Sequence, residues 1–465
     1  MTGGTFTKQG GNQLTLGTGN TTGGVGEIDQ SGGVFNNTVR DTWLGEQTGG
    51  GTGIWTLSGT AEANLAVVDL GHSGNANGAF NLDGGTLAAN RFRALSTGTS
   101  TFNFNGGTLK ARTSEPDFMS GLSAANVEAG GAIIDTDGND IGIAQDLVDG
   151  GGGGGLTKNG AGTLTLDGAN TYTGSTTVAA GTLLVDGSLA ASNSVAVNGG
   201  TLGGTGTIAG TLNVGASGAV APGTSVGTLS VSDTATISGT LKIEVDGATV
   251  DVLAVDGDVD ISAATLSIVE TGLGADQTSY TFLTYTGSLT GTQFFDEGTL
   301  PAGYGVDYST SGEIKLVSTG GDSPFDTWAA TGTLGPVTFE GDTNGDGVQD
   351  GIAFLLGVPN PDDDAKGSLP TASEDGAGGL VLAFNCLPTA DRGTAELRIE
   401  HSSDLGVGDG WTATVNEVPD ATNATADNGV TYVVTPGTPA NAVVATIAAS
   451  EAEGGKLFGR LTASE

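Results

Sequence analysis

The 465-residue chain holds 85 glycines but only 12 prolines, with 52 acidic against 14 basic residues and a formal net charge of −38. The glycines follow no every-third-residue period, which excludes collagen, and 37% hydrophobic residues in recurring β-branched alternation argue against disorder. The charge argues against nucleic acid and acidic membrane surfaces as partners, since phosphate contacts need a basic patch.

No run approaches the ~18 apolar residues of a membrane-spanning helix. Met1-Thr2-Gly3-Gly4 lacks the basic and apolar regions of a signal peptide, yet Gly4-Thr5-Phe6-Thr7 reads as the inside of a repeat. The expectation is a truncated N-terminus, with a signal peptide and earlier coils upstream. Over residues 1–115 a loose repeat follows. Leu44-Gly45 leads to Gly53-Ile54-Trp55-Thr56-Leu57, Leu70-Gly71 to Gly78-Ala79-Phe80-Asn81-Leu82, and Leu95 to Thr101-Phe102-Asn103-Phe104. Trp55, Phe80 and Phe102 therefore recur once per coil and are expected to stack in the core rather than to bind sugar. Asp135-Thr136-Asp137-Gly138-Asn139-Asp140 invites a calcium reading, but an Asp-Gly turn between strands at 132–134 and 141–143 accounts for it. Residues 150–155 read as a flexible glycine joint.

Residues 154–187 alternate apolar and polar positions in three short runs, Thr163-Leu164-Thr165-Leu166, Thr176-Thr177-Val178 and Thr182-Leu183-Leu184-Val185, separated by Gly, Asn170 and Asp167. Three strands and three turns in roughly 20 residues make one coil of a parallel β-helix, which needs neighbours above and below. Gly155-Leu156-Thr157-Lys158, Gly160-Ala161-Gly162-Thr163-Leu164, Asn170-Thr171-Tyr172-Thr173-Gly174, Thr176-Thr177-Val178 and Ala180-Gly181-Thr182-Leu183 stand in order. Here the chain resembles the autotransporter-associated β-strand repeat. The resemblance implies an exported, passenger-type right-handed parallel β-helix and no one activity.

Gly-Thr-Leu recurs at Gly181, Gly200, Gly210, Gly227 and Gly239, the first two one coil apart, and Ala221-Pro222-Gly223-Thr224 resembles the family's break near the end of the helix. β-Helix repeats are expected over 1–248, terminal coils and a cap over 249–318, and a linker over 319–324. Residues 325–465 read as an Asp-rich loop and a small antiparallel β-sandwich, with strands near 380–384, 395–399, 411–415, 430–434, 443–447 and 456–461, and a short helix at 348–356 stopped by Gly357 and Pro359. This part resembles the C-terminal module of large exported proteins from planctomycete- and verrucomicrobium-like bacteria. The fold class is therefore all-β.

One stretch carries metal chemistry. Asp342, Asn344, Asp346, Val348 (by its carbonyl) and Asp350 take positions one, three, five, seven and nine of an EF-hand-type calcium loop, with Gly347 at the turn. Position twelve, where a bidentate carboxylate belongs, is Ala353, so calcium binding is expected to be weak unless Asp362, Asp363 or Asp364 substitutes. Catalytic signals are sparse. His72 and His401, the two histidines, have no metal-ligand spacing, the lone Cys386 reads as a buried core residue, and no nucleophile elbow or phosphate loop occurs. The chain ends without a terminal aromatic, so no translocation barrel is expected in it. The expected function is non-enzymatic: an exported or cell-surface structural, adhesin-like protein whose partner is an extracellular matrix, glycan or cell-surface ligand. The alternative is a carbohydrate-active β-helix enzyme, marked by two carboxylates and a base on one solenoid face.

Overall fold

A computed structural model describes residues 1–18, 23–46, 50–190, 194–273, 279–301, 304–318, 324–329, 331–334, 337–405, 407, 411–414, 416–452 and 456–464. The chain divides into two compact units, Met1–Ser318 and Thr319–Glu465.

The first unit is a parallel β-solenoid with three faces. Among the described residues, one face runs through 13 strands from Thr2–Thr7 to Leu289–Thr290, and a second, starting at Leu14–Thr18, also has 13. The third is split into six strands ending at Leu147–Asp149 and eight starting at Ala169–Asn170. Alternation sends every second side chain inward. On the first face Leu109, Ile134, Lys158, Val178, Val197 and Val214 are successive partners in one buried row. Each aliphatic member, fully removed from water, contributes about 1.5–3 kcal/mol, and a coil gains this only when its neighbours cover it.

The aromatic ladder is present. Trp55 pairs with Phe80 and Phe80 with Phe102, with ring centroids 5.8 and 5.5 Å apart. It extends further than the spacing indicated: Phe35 meets Trp55 edge-on, and Phe92 and Phe118 join from the second face. The expected Asp-Gly turn is there: Asp137 and Gly138, both at positive φ, turn the corner between Ala132–Asp135 and Ile141–Ile143, which lie on different faces. The glycine run before the repeat, expected as a flexible joint, ends in a packed corner at Gly154 and Gly155, while Gly151 and Gly153 are exposed with open space around them. A Cβ on Gly154 would lie 1.8 Å from the Glu128 carbonyl oxygen, and one on Gly155 2.1 Å from that of Ser175. Gly-Thr-Leu marks one coil between Leu183 and Leu202, which pair. Elsewhere the same phrase starts strands on other faces, Leu212 on the first and Leu229 on the third. It is a corner-to-strand phrase usable at any corner.

Beyond Thr240–Gly247 the pairing becomes mixed. That strand still runs parallel to Thr265–Leu273, but Ser279–Tyr285 pairs antiparallel with Glu313–Ser318, and Glu313–Ser318 with Tyr304–Asp307.

The second unit has two antiparallel sheets sharing one core. Thr371–Glu374, Leu380–Cys386, Asn441–Ile447, Val430–Thr435 and Asn423–Asp427 form one, and Thr412–Ala413, Glu396–Ser402 and Phe458–Ser464 the other. Leu382, Phe384 and Ile447 from the first, and Leu397 and Ile399 from the second, meet in that core together with Phe354. Thr371–Glu374 and Asn423–Asp427, rich in Thr, Ala and Asn, lack the apolar alternation that marks the other strands. The helix is Asp350–Leu355, shorter than expected, with Gly357 at φ 74° closing its end. Cys386 is buried, as expected.

Candidate functional site

Four polar residues of the repeat coil, Lys158, Asn170, Tyr172 and Thr176, point inward, while Asp167, Thr171 and Thr173 are exposed. Lys158 takes an aliphatic place in the buried row, and its Nζ donates to the carbonyl oxygens of Asn159, Gly160 and Ala180 at 3.0, 2.8 and 3.1 Å. Burial pushes its ammonium down to about 8, opposed by the charges of Asp135 and Asp140. Gly181 borders this corner at φ 68°; a Cβ there would lie 2.5 Å from the Gly160 and Gly162 oxygens and 2.8 Å from Lys158 Nζ. Only glycine fits. Asn170 is buried on the third face. Its Oδ1 accepts from the Leu147 amide at 3.1 Å, and its Nδ2 donates to the Gly168 and Ser188 carbonyls at 2.9 and 3.2 Å. It thereby ties together three successive coils across the break in that face. Tyr172 is fully buried, with its hydroxyl 2.6 Å from Thr176 Oγ1. Burial raises its pKa strongly, so it is no acid or base in the working range.

The loop expected to hold calcium is closed by its own hydrogen bonds. Asp342 accepts from the Asp346 and Gly347 amides at 3.0 and 2.8 Å, and Asn344 Oδ1 from the Asp346 amide at 2.9 Å. Asp346 accepts from Val348 at 2.7 Å and Ala365 at 2.6 Å. Partial burial would raise its pKa, but those two amides, the Asn344 amide and the Lys366 charge hold it below the usual carboxylate range. Asp350 is buried and turned to the Thr343 amide and hydroxyl, the latter at 2.7 Å. Asn344 Nδ2 reaches the Pro361 and Asp363 carbonyls at 3.1 and 2.6 Å, so the 361–365 segment folds against the loop by its backbone. The donor set is hard oxygen, which suits calcium. Its carboxylates do not converge: among the described residues no three His, Cys, Asp or Glu side chains are gathered to hold a metal.

Two solenoid clusters escaped sequence reasoning. On the second face Trp43, Asp69 and Arg93 are successive partners in register. Asp69 is fully buried and accepts from Arg93 Nε at 2.6 Å, with His72 Nδ1 at 2.8 Å; Arg93 also meets Asp41 at 3.5 Å. His72 stacks on Trp43, with centroids 3.6 Å apart and planes 8° from parallel. Nδ1–H donation to Asp69 would leave Nε2 as the basic nitrogen. The signal was an acid three residues before a histidine; the Trp43 and Arg93 contacts required the coil register. The second cluster is Asp251, buried beside a small groove lined by Lys242, Glu244 and Ser225. Its oxygens accept from the Gly227 and Glu244 amides at 2.9 and 2.8 Å. Burial nonetheless raises its pKa to about 6.

Residues 156–185 match the family model described as the passenger-associated-transport-repeat. No curated protein matches the chain. The chain thus carries a repeat of the kind found in autotransporter passengers, within a parallel β-solenoid.

Proposed function

We propose that the protein is an exported, cell-surface structural protein of adhesin-like type that does no chemistry of its own. The observation that carries this reading is where the signature's lysine, asparagine, tyrosine and one of its threonines go. Lys158, Asn170, Tyr172 and Thr176 are buried and bonded to carbonyls, amides or each other, so the repeat uses its functional groups to close coils. A stack of such coils makes a stiff support that displays a surface. The test is protease shaving and antibody labelling of intact cells producing the protein. Digestion and labelling of intact cells are expected; protection until the cells are lysed would overturn the reading.

The alternative, an enzyme acting on extracellular polysaccharide, is favoured by one observation: Asp41, Asp69, Arg93 and His72 put two carboxylates and a base on one face. Against it, Asp69 is sealed from solvent and engaged by both Arg93 and His72. A glycan-degradation screen with the parent chain and His72→Ala separates the two readings. Product release by the parent that His72→Ala abolishes would establish the enzyme.

Weak calcium binding at Asp342, Asn344, Asp346, Val348 and Asp350 is a further proposal, supported by the motif and its oxygen donors and opposed by the amide bonds that occupy them. The expected dissociation constant is roughly 0.1–1 mM, within the extracellular range. Calorimetric titration of the full chain with calcium, beside Asp346→Ala, checks it. Heat in the parent that the variant lacks supports the site; no heat in the parent removes it.

A further inference from the structure

Residues 84–114 contain Arg91, Arg93, Lys110 and Arg112 and no Asp or Glu, in a chain that has 52 acidic residues. Three of these cations are paired with acids from neighbouring coils: Arg91 with Asp117, Arg93 with Asp69 and Asp41, and Lys110 with Asp137 at 3.0 Å. Arg112 differs. Its Nη1 donates to the Leu65 carbonyl at 2.9 Å and to Asn90 Oδ1 at 3.4 Å, both neutral. It is half-buried, and among the described residues it is the one arginine away from full exposure that has no carboxylate partner. A partly desolvated guanidinium favours an anion on its remaining donors.

That side chain borders a groove of about 420 Å³ on the first face. The strands Glu62–Leu65, Thr86–Ala89 and Thr108–Ala111 lie side by side there, with Asn64, Ala88 and Lys110 in register. Small residues on the middle strand, between longer ones on its neighbours, make the trough. One side holds Lys110 and Arg112, with Asp137 paired to Lys110; the opposite side holds Glu62 and Asn64. We propose that this groove binds the carboxylated sugars of an acidic polysaccharide. The sugar carboxylate sits on Arg112, with Lys110 beside it, and the ring hydroxyls face Thr86, Asn64 and Glu62.

The lining decides the class. Hydroxyls both donate and accept, which matches an amide, a hydroxyl and a carboxylate together, and the groove's polar lining offers little to an apolar peptide side chain. Glu62 on one side and Asp137 at Lys110 repel an anion placed near them, so one anionic group per sugar, held on Arg112, fits best. Lys110 is already engaged by Asp137, so Arg112 carries most of the recognition. The proposal rests on the reading of the protein as an exported surface binder. Export is measured on cells and polymer binding on purified protein, so each can fail alone.

The experiment is binding of the full-length protein to immobilised alginate, with dextran as the neutral control and inorganic phosphate as a competitor. Expected are alginate binding well above dextran, at least tenfold weaker binding by Arg112→Gln with an unchanged melting curve, and two- to fivefold tighter binding by Glu62→Gln. The Glu62 variant leaves the Arg112 bonds untouched, so its gain is no folding artefact. Equal binding to alginate and dextran, full competition by millimolar phosphate, or alginate binding indifferent to both substitutions would overturn the proposal.

Discussion

The coil steps Phe35 to Ala63, Ala63 to Leu87 and Leu87 to Leu109 take 28, 24 and 22 residues, whereas those from Lys158 to Val178, Val197 and Val214 take 20, 19 and 17. The contrast is concentrated on the third face. In the long coils its strands run six residues, as in Thr52–Leu57 and Asn77–Leu82; in the short coils they run two, as in Ala169–Asn170 and Ser188–Leu189. Stacked rings need a wide cross-section and receive a full backbone ladder around it. The short coils enclose chiefly Leu, Val and Ile, with Tyr172 as their buried ring, and give up most of one ladder. Lys158 and Asn170 replace it with side-chain bonds to corner carbonyls and amides. One architecture is thus held by aromatic bulk at one end and by buried polar clasps further along.

The largest expected effect lies in the aromatic coils. Trp55 is fully buried, and Trp55→Ala should cost about 3–5 kcal/mol in denaturant unfolding of the solenoid. Trp55→Phe should recover much of that, because the indole Nε1 is buried without a hydrogen-bond partner and its loss removes a desolvation cost. Equal losses from both variants would contradict the stacked-core account.

A smaller effect concerns pH. Asp251 has a folded pKa of about 6, above the ordinary 3.8, so folding favours its protonated form. Its stabilising contribution is full below about pH 3.8 and is lost as pH rises through 6. Between pH 7 and 4 the parent should therefore gain about 1–3 kcal/mol relative to Asp251→Asn, which does not titrate. A relative loss on acidification would reverse the sign and refute the assignment. The smallest effect belongs to the outer ladder of the long coils, where Asn126 donates to Asn103 and Asn103 to Asn81, each at 2.7 Å. Asn103→Ala should cost only about 0.5–1 kcal/mol, because the ladder is partly solvated. A cost as large as that of Trp55→Ala would move the centre of stability from the core to the surface.

Much of this contrast was legible in residue order. Strand alternation gave the solenoid, and the recurrence of Trp55, Phe80 and Phe102 gave the coil register before any contact was visible. The repeat signature marked the short coils. What stayed hidden depends on corners. Leu95 begins no strand on the aromatic face, and Gly-Thr-Leu serves several faces, so phrase spacing alone cannot say which face a strand joins. The Trp43, His72, Asp69 and Arg93 cluster draws on three coils, and coil lengths between 17 and 30 residues put such neighbours at irregular separations. In the Asp342 to Asp350 loop the ligand types were readable, but their engagement by loop amides was not, since every member of the motif is also a good turn former.

Amide hydrogen exchange on Lys158→Met, beside the parent at pH 7, tests most directly whether buried polar clasps hold the short coils. Methionine fills the same space but leaves the Asn159, Gly160 and Ala180 carbonyls without their donor. The predicted result is roughly tenfold faster exchange, about 1.4 kcal/mol, confined to Leu156–Asn159, Thr176–Val178 and Thr182–Val185, with the strands around Trp55 and Phe80 unchanged. Unchanged or slower exchange in those strands would contradict it, because the lysine would then be a tolerated buried charge rather than the fastening of the coil.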